Sequence, residues 1–129
     1  MTEHDHAVKL FAMALKDVRA LIAMMNPQVF SDEIFGFHAQ QTVEKALKAW
    51  LSQLKIEYPK THDISFLLKL LEKKKKIAKK WKNLIEFNVF AVQYRYEAFD
   101  LEESLDRKNI IHLVKTLIAK VRRELKVGK

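Results

Sequence analysis

Apolar residues recur at three- and four-residue steps through almost the whole chain, and very little interrupts them. The 129 residues include only two glycines and two prolines, too few to punctuate a chain built from short strands and tight turns. Leu, Lys, Ala and Glu dominate, and alternating β-branched runs bounded by turns are missing. The pattern predicts an all-α protein, an up-and-down antiparallel helical bundle of four to five helices. A chain of this length encloses one core, so residues 1–129 are read as a single helical domain.

The stripes place the elements. The first helix is expected from Asp5 to Met25, with Val8, Phe11, Leu15, Val18, Ile22 and Met25 inward. Asn26-Pro27 ends it, because proline disfavours helical geometry in the residue before it. Ser31 or Asp32 caps a second helix reaching about Leu54, and Glu57-Tyr58-Pro59-Lys60 is the clearest linker. Thr61 is the expected cap of a third helix ending near Glu72, whose stripe is Ile64, Leu67, Leu68 and Leu71. A fourth helix is expected from Ile77 to Tyr94, with Trp81, Ile85, Val89 and Val92 inward. Asp100 with Glu103 has the form of a capping box opening a last helix that ends near Leu125.

Composition excludes several classes of chemistry. Without cysteine there is neither a disulfide framework nor a thiolate metal site. Phosphate-binding glycine loops, nucleophile elbows and ferritin-type carboxylate clusters are missing too. His4, Asp5 and His6 are placed at a terminus expected to fray, so no metal and no cofactor are expected. No apolar run approaches the roughly 20 residues of a membrane span. The start, Met1-Thr2-Glu3-His4, lacks the basic-then-apolar order of a signal peptide, so a soluble cytoplasmic protein is expected. The net charge of +8 instead favours an anionic partner. Lys73, Lys74, Lys75, Lys76, Lys79, Lys80 and Lys82 crowd one stretch, and Arg122, Arg123, Lys126 and Lys129 crowd the end. Lysine is a point charge without the fork that reads base edges, so such a run attracts phosphate without sequence preference. Lys74, Lys75, Lys79 and Lys80 are its candidate contacts; the competing account is a solvated helix end complementing the helix dipole.

The segment Phe37-His38-Ala39-Gln40-Gln41-Thr42-Val43-Glu44-Lys45-Ala46-Leu47-Lys48-Ala49-Trp50-Leu51 sets a polar ladder beside an apolar stripe. Val43, Leu47, Trp50 and Leu54 form the stripe, with Ala39 and Ala46 on the same side; Gln41, Glu44 or Lys45, and Lys48 form the ladder. On residue chemistry alone, Glu44 and Lys48 make a surface i,i+4 pair worth about 0.3 kcal/mol. The run closely resembles the helix "HAQQAVEKALKALL" of HEPN-domain proteins. Thr61-His62-Asp63-Ile64 resembles that family's "THDL", and Gln93-Tyr94-Arg95-Tyr96 resembles its "Y-x-x-x-R-Y-P" segment. Order and spacing fit from about Ala7 to Leu125, although Glu97 stands where many relatives have proline.

The resemblance implies a small helical protein, commonly a homodimer, that binds nucleotide or RNA. It also implies action with a minimal nucleotidyltransferase in a toxin–antitoxin-like pair, in some members as a metal-independent endoribonuclease. Arg95 falls at the family's arginine, and Tyr94 and Tyr96 beside it can stack on a base or hold the guanidinium. An interhelix salt bridge from Arg95 to Asp63, Glu97 or Asp100 is the competing role. His62 is a candidate proton carrier or phosphate contact, against a simple capping role. His38 is read as a packed or hydrogen-bonded residue at the core edge.

Arg107 and His112 match the family's nuclease spacing literally. A five-residue helical step, however, turns by about 140°, so Arg107 should share the side of Ile110, Val114 and Val121 while His112 points away. Lys108 and Leu113-Val114 also replace the asparagine and aromatic that usually accompany that signature. Two other readings stay open: a non-catalytic helical adaptor, and a nucleotide-sensing module in which Gln41, Lys45, Lys48 and Arg95 hold a triphosphate.

Overall fold

The computed structural model describes residues 2–77, 79–88 and 105–126. Among these residues run four α-helices and one 3-10 segment: α1 Glu3–Ala23, α2 Asp32–Gln53, α3 Ile64–Glu72, the 3-10 segment Lys79–Phe87, and α4 Arg107–Leu125. The fold is an all-α helical bundle. Its long helices α1, α2 and α4 pack against one another, and α3 with the 3-10 segment covers α2. The start of α1 meets the end of α2 through His4 and Gln53, 2.7 Å apart, so these two helices run antiparallel. Arg107 at the start of α4 reaches Met24 O at the end of α1, which sets α4 antiparallel to α1 as well.

Local chemistry explains the ends. Thr2 and Asp5 form a reciprocal capping box that opens α1 two residues earlier than the apolar pattern suggests. Ser31 supplies the cap of α2, accepting from the Ile34 amide at 3.3 Å. That helix closes in a Schellman arrangement: Ile56 N donates to Leu51 O and Lys55 N to Ser52 O, with Lys55 left-handed at φ 60°. The third helix is capped by Asp63, whose Oδ1 accepts from the Phe66 amide, not by Thr61. Thr61 Oγ1 instead accepts from the Asp63 amide and braces the cap. Asp106 caps α4, accepting from the Asn109 amide at 3.1 Å. That helix therefore opens at Arg107, later than an Asp100–Glu103 box would place it; those two residues lie outside the described part.

The core confirms some stripes and turns others. Val43, Leu47, Trp50, Ala39 and Ala46 are buried in α2, as are Ile64, Leu67, Leu68 and Leu71 in α3. Leu54 is only half-buried, one residue past the end of α2. In α1 the buried face is Ala7, Phe11, Ala14, Val18 and Leu21, while Ile22 and Met25 are exposed and Val8 and Leu15 half-buried. Two alanines sit at the centre of this face, where short side chains let helices approach closely, and α1 packs most extensively against α2. The expected α-helix from Ile77 is replaced by 3-10 geometry over Lys79–Phe87. With three residues per turn, Trp81, Leu84 and Phe87 align inward and Ile85 turns out to solvent. Val89, Val92 and Tyr94 lie outside the described residues.

Candidate functional site

The polar centre of the molecule grows from one side of α2. Gln40, Glu44 and Lys48 follow at four-residue steps, which stacks them along one line of the helix. Gln40 and Glu44 are buried, and the linker before α3 folds over them. Gln40 Nε2 donates to Glu44 Oε1 at 3.2 Å and to the His62 carbonyl at 3.0 Å. His62 Nδ1 lies 2.7 Å from Glu44 Oε1, and Lys48 Nζ donates to Glu44 Oε2 at 2.9 Å. Burial opposes the charge on Glu44, yet hydrogen bonds and charges from Lys48 and His62 outweigh it and hold the carboxyl below its ordinary value.

This geometry fixes the histidine. A carboxylate at Nδ1 makes that nitrogen the donor, which leaves Nε2 as acceptor in the neutral ring and as donor in the cation. The His62 side chain is 52% exposed although its partner is almost enclosed. The linker around it is tied down elsewhere: Asn88 donates to Asp63 Oδ1 at 2.9 Å and accepts from the Ile64 amide at 2.7 Å. Chemically, a histidine oriented by a carboxylate can take or give a proton at a position set by the fold. Lys48 extends the network, its ammonium 5.7 Å from the centre of the Tyr58 ring. The Tyr58 hydroxyl lies 3.3 Å from His6 Nε2. The first turn of α1 is thus docked, where fraying was expected.

The other candidates fall in separate places. Lys45 pairs with Asp17 at 2.6 Å and joins α2 to α1, while Gln41 is half-buried. His38 is half-buried, its carbonyl accepting from the Thr42 hydroxyl and its ring edge-on to Phe37. Arg107 is 5% exposed and donates to Met24 O, Phe30 O and Asp32 Oδ1 at 2.6, 2.7 and 2.9 Å. Its guanidinium also lies 4.8 Å from the centre of the Phe35 ring. Val114 and Val121 are buried on the same side and Ile110 is half-buried, whereas His112 is exposed, so the nuclease-spaced pair does not converge within one chain. Tyr94, Arg95 and Tyr96 lie outside the described residues.

The lysine run lines a cleft of about 480 Å³ at the end of α3, formed by Glu72, Lys73, Lys74, Lys75, Lys76, Ile77 and Lys82. Lys75 is bound to Glu124 of α4, and Lys82 reaches Glu72 at 3.5 Å. The Lys75 hydrogen bond, against some burial and aided by the Lys120 charge, keeps the Glu124 carboxyl low. The buried indole Nε1 of Trp50 makes no hydrogen bond among the described residues. Lys80 lies over the Trp81 ring at 4.9 Å. Among the described residues, Lys73, Lys74, Lys76 and Lys79 have no ion-pair partner.

Gln40 and the burial of Glu44 escape sequence reasoning. The available signal was the four-residue repeat Gln40–Glu44–Lys48, one position round from the ladder through Gln41. Among the described residues no group of three or more His, Cys, Asp or Glu side chains converges to hold a metal ion. No described helix is long and apolar enough to cross a membrane. The family model described as HEPN domain matches residues 7–124, nearly the whole chain. No curated protein and no solved structure matches the chain at a significant level.

Proposed function

Because the chain belongs to the HEPN-domain family, we propose that it binds RNA or nucleotide through phosphate. The observation that carries this reading is the cleft at the end of α3, where Lys73, Lys74 and Lys76 have no ion-pair partner among the described residues. Flexible point charges of this kind attract a phosphate backbone without reading bases. Lys45 and Lys48 are already matched by Asp17 and Glu44, which weakens a triphosphate pocket built on them.

The protein acts with a minimal nucleotidyltransferase in a toxin–antitoxin-like pair, as its family suggests, and works as a homodimer. Exposed Ile22, Met25 and Val29, at the end of α1 and in the loop after it, support an apolar patch for the second copy. Any RNA cleavage proceeds by attack of a ribose 2′-hydroxyl on the adjacent phosphorus. The 2′-O–P bond forms and the P–O5′ bond breaks, giving a 2′,3′-cyclic phosphate and a 5′-hydroxyl. His62 takes the 2′ proton, a water molecule gives one to the leaving 5′ oxygen, and Arg95 stabilises the charge on phosphorus. The test is binding and cleavage of total RNA in chelator by wild type, Arg95→Ala and His112→Ala. Impairment confined to Arg95→Ala is expected; loss in His112→Ala, with Arg95→Ala still active, would overturn these roles.

A further inference from the structure

The rotation of α3 is fixed by Ile64, Leu67, Leu68 and Leu71, all turned into the core. The opposite side is therefore dictated by helical geometry. Phe66, Lys69 and Lys73, separated by three and four residues, fall on one line facing away from the bundle. All three are exposed, and Phe66 keeps 42% of its surface in contact with solvent. A single exposed aromatic is ordinary on a protein surface. This one stands on a line of cations that leads, over roughly 10 Å of helix, into the lysine-lined cleft. At the other end of the same helix lies His62, held by Glu44.

We propose that the outward face of α3 is a platform for single-stranded RNA, with one base stacked on Phe66 and the following phosphates on Lys69, Lys73 and the cleft. This rests on the phosphate-binding reading above and narrows it from RNA in general to unpaired RNA. An aromatic platform needs the face of a base, which a duplex keeps stacked on its neighbours, whereas lysines accept phosphate from either form. Neither acidic group along the helix takes a lysine from this line. Asp63 Oδ1 accepts from the Phe66 amide and Asn88, and Glu72 is paired with Lys82.

The experiment is anisotropy with an end-labelled single-stranded oligoribonucleotide and with the same strand annealed to its complement. Proteins compared are wild type, Phe66→Ala, Phe66→Tyr and Lys69→Gln/Lys73→Gln, with circular dichroism confirming helix content. Phe66→Ala should weaken single-strand binding by about 5- to 150-fold, the range spanned by stacking one base. It should leave duplex binding unchanged, and Phe66→Tyr should retain wild-type affinity. The double lysine variant should weaken both forms. A 2-aminopurine placed in the strand should be quenched by wild type and not by Phe66→Ala, a readout independent of small stability changes. If wild type binds neither form, the RNA half of the phosphate-binding reading fails and this proposal with it. If the lysine variant loses affinity while Phe66→Ala binds the single strand like wild type, only the stacking platform is overturned. A Phe66→Ala variant that keeps its RNA affinity but loses self-association would give this face to a protein partner and also overturn the proposal.

Discussion

Replacing Arg107 with alanine separates a structural arginine from a nuclease arginine. The guanidinium is enclosed, with 5% exposure, and bridges the end of α1, the following loop and the start of α2. Truncation removes three hydrogen bonds and the stacking on Phe35, leaving two carbonyls and the Asp32 carboxylate without their donor. Counting about 1.5–3 kcal/mol for each charged hydrogen bond overstates the loss. Residues Asn26 to Val29 are exposed, so water can reach part of the vacated space. The relevant comparison is removal of one partner from a buried ion pair, which costs about 3–5 kcal/mol. For a domain of this size that is a fall in Tm of roughly 10–20 °C. Urea denaturation of wild type, Arg107→Ala and Arg107→Lys measures it; the lysine variant should fall between, since an ammonium cannot match the fork. His112→Ala, at an exposed position, should stay within about 0.5 kcal/mol of wild type. Arg107→Ala within about 1 kcal/mol of wild type would refute the clamp and return Arg107 to the list of residues free to contact RNA.

Three further outcomes are expected. Trp50→Ala should cost about 3–5 kcal/mol in the same assay, because its ring is packed at the α2 core; a melt within a degree or two of wild type would contradict that. Glu44 has its carboxyl lowered in the folded state, so its contribution is complete above the ordinary value of 4.5 and is lost as pH falls through the folded one. Wild type should therefore lose stability below about pH 4 more steeply than Glu44→Gln, and parallel acid limbs would argue against the network. Light scattering at micromolar concentration should give a dimer mass, with an interface of roughly 1,600 Å² in total; a pure monomer would remove the paired arrangement.

How far the fold can be read from sequence depends on which side chains do the burying. In α2 and α3 the stripes consist of Leu, Ile, Val and Trp, whose transfer from water dominates, so periodicity alone gives the face. In α1 the central buried residues are Ala7 and Ala14, which carry little hydrophobic signal, and the larger Ile22 and Met25 pull the apparent stripe off the true one. After α3 the error has a different source: an α-helical step of four from Trp81 points to Ile85, whereas the 3-10 step of three that the chain adopts buries Leu84 and Phe87 instead. At the candidate site, Lys48 and His62 were visible as residue types. Their junction at Glu44 was not, since it joins positions 18 apart in the chain through the fold of a linker. Arg107 could be rotated away from His112 by helical arithmetic, but its carbonyl partners Met24 and Phe30 are some 80 positions distant and carry no local pattern.

The most direct measurement of the central claim is the salt dependence of RNA affinity for wild type and for a variant with Lys73, Lys74 and Lys76 replaced by glutamine. Each phosphate neutralised on a single strand contributes a slope of about −0.7 in log affinity against log salt. Wild type should weaken steeply with added salt, and the triple variant should bind less tightly with a slope shallower by about 2. An unchanged slope in the triple variant, or an affinity for RNA indifferent to salt in both proteins, would contradict the account.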